Sequence, residues 1–248
     1  MVMAQKKYLI IGSNGRIGKA LLKDLTKNDK LEIVTVDKSN LKKLSSKHTH
    51  YKIDISKENN LKKLFLKLHK SKDKINQVIN LSYPKNKNYG KDFLHLNEKD
   101  LKDNLFLLLG TNIMIAKYSI NFFLKNKIKG NILFTSSILG VRAPKFNHYD
   151  GLKMISPIEY SASKSAIIMV TEYLAKKYRK KNIRINCISP GGIKDKQNIL
   201  FQKRYRDDCG VKGLLDPKDI ITTINFLMDD RSKNINGQNI IIDDGWSL

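Results

Sequence analysis

Tyr8-Leu-Ile-Ile-Gly12-Ser-Asn-Gly15-Arg-Ile-Gly18 passes from an unbroken apolar run, through two glycines, into a stretch that begins a helix at Arg16. A glycine at such a turn permits positive φ, and its small neighbours let the backbone approach a ligand closely. The helix start offers unpaired N–H groups and the positive end of the helix dipole, which together suit a phosphate. Gly12, Ser13, Asn14, Arg16, Ile17 and Gly18 are therefore candidate residues for holding a pyrophosphate. An acidic residue at the end of the next strand strengthens the reading, and Asp37 closes Leu31-Glu-Ile-Val-Thr-Val36, 19 positions beyond Gly18. Its carboxylate can accept from an adenosine ribose diol and would repel a 2′-phosphate. NAD is thus favoured over NADP, although Lys38 and Arg16 stand nearby.

The rest of the chain repeats this strand–helix alternation. Strands are expected at Lys7–Ile11, Leu31–Val36, Tyr51–Ile53, Gln77–Leu81, Asn131–Thr135, Ile183–Ile188 and Asn239–Ile242. Helices are expected at Arg16–Lys27, around Leu41–Leu44, through Leu61–Leu68, from about Glu98 to Leu124 and over Ile158–Tyr178. Strands without a polar face point to a parallel sheet covered on both sides, an α/β doubly wound architecture. No repeat or linker divides the 248 residues, so one domain is expected. Asp54-Ile55, after the third strand, could hold an adenine edge. Asn80-Leu81-Ser82, after the fourth, would lie beside the same ligand. Two long loops, Tyr83–Phe93 and Val141–Pro157, follow strands at the sheet edge where such folds bind ligands.

Tyr160-Ser-Ala-Ser-Lys164 opens the last long helix and places a phenol and an ammonium one turn apart on one face. A phenol with a pKa of about 10 is a poor acid–base group near neutrality. A neighbouring ammonium, aided by a nicotinamide cation, would lower that value. Ser137, after the strand Ile132-Leu-Phe-Thr-Ser136, could hydrogen-bond the reacting oxygen.

Taken with Arg184-Ile-Asn-Cys-Ile-Ser-Pro190-Gly191 and Ile240-Ile-Ile-Asp-Asp-Gly245, these segments resemble the short-chain dehydrogenase/reductase family over nearly the whole chain. The resemblance implies a Rossmann-type sheet of seven strands and hydride transfer to or from a nicotinamide. It further implies Tyr160 as acid/base, Lys164 as its modulator and holder of the ribose hydroxyls, and Ser137 as donor to the substrate oxygen. Pro190, Gly191 and Ile193 would line the nicotinamide pocket, and dimers or tetramers would form through the long helices.

Three departures stand out. The turn reads Gly-x-x-Gly-x-x-Gly, whereas the family usually places its middle glycine where Arg16 stands. The family's helix-borne Asn has no clean counterpart: alignment on Gly110 puts Leu107 there, with Asn104 and Asn112 off register. Ser137 and Tyr160 are also 23 positions apart, a long interval. The extra segment, about 141–158, resembles an insert found in bacterial members of flagellin-modification and surface-sugar pathways. As a lid it would suit a polyhydroxylated substrate, with His148 a possible contact; the alternative is a loop that packs on a neighbouring subunit.

Composition excludes several other classes. The formal charge is +24, from 47 Lys+Arg against 23 Asp+Glu, but only seven of the cations are Arg and the lysines are dispersed. That is a solvated surface rather than a nucleic-acid module. The longest apolar stretch, Leu105–Ala116, is shorter than a membrane span, and the N-terminus lacks an export signal. Two cysteines, Cys187 and Cys209, exclude a disulfide scaffold and a four-cysteine zinc site, and fit a reducing cytoplasm. The expected activity is NAD-dependent interconversion of a carbinol and a ketone on a small, sugar-like molecule. The alternatives are an epimerase or dehydratase that retains NAD, and a non-catalytic nucleotide- or nucleic-acid-binding protein.

Overall fold

A computed structural model describes residues 6–71 and 73–248. Strands β1 (Lys7–Ile11), β2 (Glu32–Asp37), β3 (His48–Lys52), β4 (Gln77–Asn80), β5 (Gly130–Thr135), β6 (Ile183–Pro190) and β7 (Asn239–Ile242) form one sheet. Their order is β3-β2-β1-β4-β5-β6-β7, and every neighbouring pair is parallel. The helices are α1 (Arg16–Leu25), α2 (Glu58–Lys70), α3 (Glu98–Leu105), α4 (Thr111–Asn126), α5 (Ile158–Tyr178), α6 (Ile199–Asp207) and α7 (Ile221–Leu227).

Side chains alternate across each strand, and both faces are covered. Leu9 and Ile11 of β1 join Leu61, Leu64, Ile115, Phe123 and Ile167 on the α2–α4–α5 side. Tyr8 and Ile10 join Leu21, Leu25, Ile221 and Leu227 on the α1–α7 side. This double burial is why the strands read as continuous apolar runs. Connections leave β1 in one direction through β2 and β3 and in the other through β4 to β7, so a crevice opens at its carboxyl end. Gly12, Asp37, Ser137 and Gly191 all follow strands at that edge.

The continuous helical stretch Glu98–Asn126 is long and apolar enough to cross a bilayer by composition. It is a core helix instead: Ile115, Ala116, Ile120, Phe122 and Phe123 are buried among residues of α2, α5 and the sheet. A single π turn, Phe106–Gly110, interrupts it between α3 and α4, a feature often found at functional sites.

Two expectations are corrected. Leu41–Leu44 is not helical. Four residues cannot offset helix nucleation, and Leu41 instead packs on the α1–α7 core while the Leu44 N–H donates to His48 Nδ1 at 3.1 Å. The third strand begins at His48 rather than Tyr51, because the Thr35 hydroxyl bonds both His48 Nε2 (2.8 Å) and His50 Nδ1 (2.9 Å) and draws those polar residues into the sheet.

Candidate active site

Gly12 turns the chain at φ +78°, and a Cβ there would lie 2.6 Å from the Ser82 nitrogen. At Gly18 it would lie 2.6 Å from the Gly12 oxygen. The turn is therefore bare backbone pressed against β4's continuation on one side and α1 on the other. The Asn14 N–H donates to Asp37 Oδ2 (3.0 Å), and Ser39 gives its N–H (3.1 Å) and hydroxyl (2.8 Å) to Oδ1. Burial pushes the Asp37 carboxyl upward, but these three donors outweigh it and hold it below the ordinary carboxylate range.

A cleft of about 600 Å³ runs from this turn across the sheet edge. Gly12, Asn14, Asp37, Asp54, Ile55, Leu81 and Ser82 line it, together with Gly15, Lys38, Tyr83, Lys85 and Leu107. The buried Ser13 hydroxyl at the turn has no hydrogen-bond partner among the described residues. That orphaned group, the Cβ-free cradle and the fixed Asp37 carboxylate fit the pyrophosphate and ribose of a dinucleotide.

Other expected residues lie outside this lining. Gly18 is buried in α1, Ile17 packs on the α1–α7 core, and Asn80 is buried. Asn80 donates to Asn112 Oδ1 (2.6 Å) and accepts from the Ser82 N–H (3.1 Å), so it aligns Ser82 rather than facing the cleft. Arg16 forms an ion pair with Asp195 and approaches the Lys194 carbonyl at 3.4 Å. Ile193 packs on the α1–α7 core and bridges to Leu215. Gly191 donates its N–H to the Ile242 carbonyl at 2.8 Å, continuing the pairing that ends at Pro190 and Ile242.

The Ser137 side chain lies near enough to Tyr160 to act on its pKa. Ser137 Oγ accepts from the Leu139 N–H at 3.2 Å, and the neighbouring Ser136 hydroxyl donates to the Lys164 carbonyl at 2.6 Å. These bonds tie the end of β5 to the first turns of α5. The Lys164 ammonium donates to the Thr135 carbonyl at 2.7 Å and stands 5.6 Å from the Tyr160 ring centre. Burial lowers the Lys164 pKa to about 8. Without a nicotinamide beside it, burial raises the Tyr160 pKa, and the nearby Ser137 hydroxyl offsets only part of that. The reason is geometric, because the ammonium is committed to a carbonyl beside the ring rather than to the hydroxyl.

Asn112 has no role free for proton relay, since it gives its amide to the Leu108 carbonyl (2.7 Å) while accepting from Asn80. Leu107, in the π turn, lines the cleft where the family carries Asn.

The loop Tyr83–Phe93, expected at the ligand edge, forms a wall with the residues up to Leu96, held by a network that the sequence did not reveal. The Tyr83 ring meets Tyr160 edge-on at 5.5 Å, and its hydroxyl donates to that of Tyr89. The wall is fixed by Asp100 of α3, a buried carboxylate that accepts from Asn86 (3.1 Å), Asn88 (2.9 Å), Lys91 (2.7 Å) and Asn97 (2.8 Å). No sequence period links an aspartate on one helix to asparagines in the loop before it.

The 141–158 insert has its own small core. Tyr149, Leu152 and Met154 pack with Phe201, Tyr205 and Trp246. His148 is 1% exposed, surrounded by the last three rings, and its Nε2 lies 2.5 Å from Asp208 Oδ2. It is thus a pin between the insert and α6 rather than a substrate contact.

A family model described as Enoyl-(Acyl carrier protein) reductase matches residues 28–247. The chain is 35% identical to post-translational flagellin modification protein A of Campylobacter coli, over all of both chains. It is 28% identical to glucose 1-dehydrogenase of Gluconobacter oxydans, over 99% of this chain and 93% of that one. Among solved structures, a short chain dehydrogenase from Leptospira borgpetersenii with bound NAD+ superposes with a TM-score of 0.90 at 25% identity, covering 100% of this chain and 98% of the other. With the sheet order, the glycine turn and the Ser–Tyr–Lys constellation, these similarities place the chain in the short-chain dehydrogenase/reductase family of NAD(P)-dependent oxidoreductases.

Proposed function

We propose that the protein interconverts a secondary alcohol and a ketone on a sugar-like substrate with NAD, in a reducing cytoplasm. The observation that carries the reading is the placing of Tyr160 and Lys164 against the end of β5, with the Tyr160 ring edge-on to Tyr83, which lines a cleft that also holds Gly12 and Asp37. NAD is supported by the Asp37 carboxylate, whose charge opposes a 2′-phosphate, and by the NAD+ bound to the Leptospira relative. Arg16, the nearest arginine in sequence to the turn, is occupied by Asp195. A sugar is supported by the flagellin-modification and glucose dehydrogenase relatives.

When bound, the nicotinamide supplies or accepts the hydride. Ser137 would donate to the substrate oxygen and Tyr160 would exchange its proton, with Lys164 holding the ribose hydroxyls and stabilising the phenolate. Since burial alone raises Tyr160, the usable phenolate depends on the added positive charge of an oxidised nicotinamide. Asn14, Asp37, Asp54 and Ser82 would hold the adenosine half, and Pro190, Gly191 and Ile193 would back the nicotinamide.

The α4–α5 face is the proposed contact between copies. Met169 and Tyr173 are 61% and 60% exposed there, and with Ile113, Leu124 and Tyr178 they line an apolar groove of about 720 Å³. Burial against a second copy would remove this surface from water.

Tyr160→Phe tests the mechanism. The variant should bind NADH within about twofold of the wild type but lose at least about 100-fold in kcat, the usual range for a general acid–base group. Undiminished turnover on a sugar that the wild type oxidises would refute the assignment.

A further inference from the structure

Resting on that reading, we infer that Lys85 recognises an oxyanion on the substrate, so that the enzyme acts on sugar acids or sugar phosphates rather than neutral sugars. The Lys85 ammonium lies 5.2 Å from the Tyr83 ring centre and 5.0 Å from that of Tyr89. The two rings meet edge-on at 5.8 Å with their hydroxyls hydrogen-bonded, and together they form a bracket around the cation. Two such cation–π contacts oppose the loss of rotamer entropy that holding a lysine entails.

The bracket itself is anchored. Asn86, between the two tyrosines, gives its N–H to Asn104 Oδ1 (3.1 Å) and its amide to Asp100. Asn88, next to Tyr89, binds the same carboxylate. Lys85, itself exposed, is therefore carried on a loop pinned at several points.

On the loops that follow β4 and β5, Lys91 pairs with Asp100 and Lys145 with Asp208, whereas Lys85, Lys87, Arg142 and Lys153 have no ion pair among the described residues. Of these four only Lys85 lines the cleft and stands over aromatic rings, and its bracket touches Tyr160. A cation already held over two rings loses less freedom when it binds an anion than one that is free to move. One aromatic ring separates it from the reacting phenol. That spacing suits a carboxylate or phosphate several bonds from the carbinol carbon.

The test uses NADH-saturated enzyme titrated with glucose, glucuronate and glucose 6-phosphate, following bound-NADH fluorescence. Wild type should bind the two anions at least about tenfold more tightly than glucose, or about 1.4 kcal/mol. Lys85→Met should abolish that preference, Lys85→Arg should retain most of it, and the Kd for NADH should move less than about twofold in either. Equal affinities in the wild type, including undetectable binding of all three, overturn the inference, as does a preference that survives Lys85→Met. Parallel weakening of NADH would reassign Lys85 to the cofactor pyrophosphate and also overturn it. A Lys85-dependent preference without hydride transfer to any sugar would fail the oxidoreductase reading on carbohydrates and leave the anion site standing.

Discussion

Gly12 and Gly151 both have positive φ, +78° and +72°, but only Gly12 has backbone in the path of a Cβ. Alanine at either position incurs the left-handed penalty of about 1–2 kcal/mol. At Gly151 nothing lies within 4 Å, so that penalty is the whole expected loss. At Gly12 the new carbon would sit 2.6 Å from the Ser82 nitrogen and 2.7 Å from the Leu81 carbonyl carbon. Neither can swing aside, because the Leu81 N–H is bonded to the Ile11 carbonyl at 2.9 Å and Ser82 is tied to Asn80. Overpacking of this kind adds about 1–3 kcal/mol, giving about 2–5 kcal/mol in all. For a domain of this size, 1 kcal/mol shifts the melting temperature by about 2–4 °C. Gly12→Ala should therefore melt about 2–12 °C below Gly151→Ala, at equal protein concentration. It should also lose NADH binding, measured by fluorescence titration, while Gly151→Ala keeps it. Equal melting temperatures, or a Gly12→Ala protein with native NADH affinity, would show that the turn is not the close-approach point described here.

Three further outcomes follow from other parts of the molecule. His148→Ala leaves a cavity among Phe201, Tyr205 and Trp246 and should cost about 3–5 kcal/mol in urea unfolding. Because Trp246 is the single tryptophan, its emission should shift to the red, while the NADH Kd stays near that of the wild type; an unchanged emission spectrum would contradict the packing. Lys164 loses its proton near pH 8 when folded but near 10.5 when unfolded. Between those values the unfolded chain holds more protons, so apo wild-type stability should rise relative to Lys164→Met by up to about 1.4 kcal/mol per pH unit. A flat difference across that window in denaturant titrations would mean that the ammonium is not desolvated. Finally, Met169→Glu with Tyr173→Glu should convert the proposed oligomer to monomers in light scattering; an unaltered mass would move the interface elsewhere.

Much of this fold is written in local patterns. The helix Ile158–Tyr178 matches its expected bounds, and the strands around Tyr8, Val78, Leu133 and Ile185 were legible because both faces are apolar. β3 was only partly legible, since His48, Thr49 and His50 owe their strand conformation to Thr35 of the neighbouring strand rather than to their own propensities. Tyr160, Lys164 and Ser137 were visible through a helical i,i+4 spacing and a strand end. The direction of the Tyr160 shift was not, because it depends on where the Lys164 ammonium finds its acceptor. Asp100, Tyr83 and Lys85 gave no sequence signal, as their relation arises only when α3 folds back on the preceding loop. Arg16 could be read as a cofactor contact until its ion pair with Asp195, on the far side of the sheet's switch point, was in view.

The small core around Trp246 joins residues from four separate stretches: 138–154, 201–209, Leu214 and Trp246 itself. Contacts of such long sequence separation close a large loop before they return any free energy, as the pairing of β1 with β4 also does. The cluster lies outside the two apolar layers of the sheet, so it can open as a unit of its own only if its opening free energy is below that of global unfolding. In hydrogen exchange its amides should exchange together and ahead of β1, β4 and β5. Exchange in that order would mean that the wall on the insert side opens while the strands that carry the glycine turn stay closed to solvent.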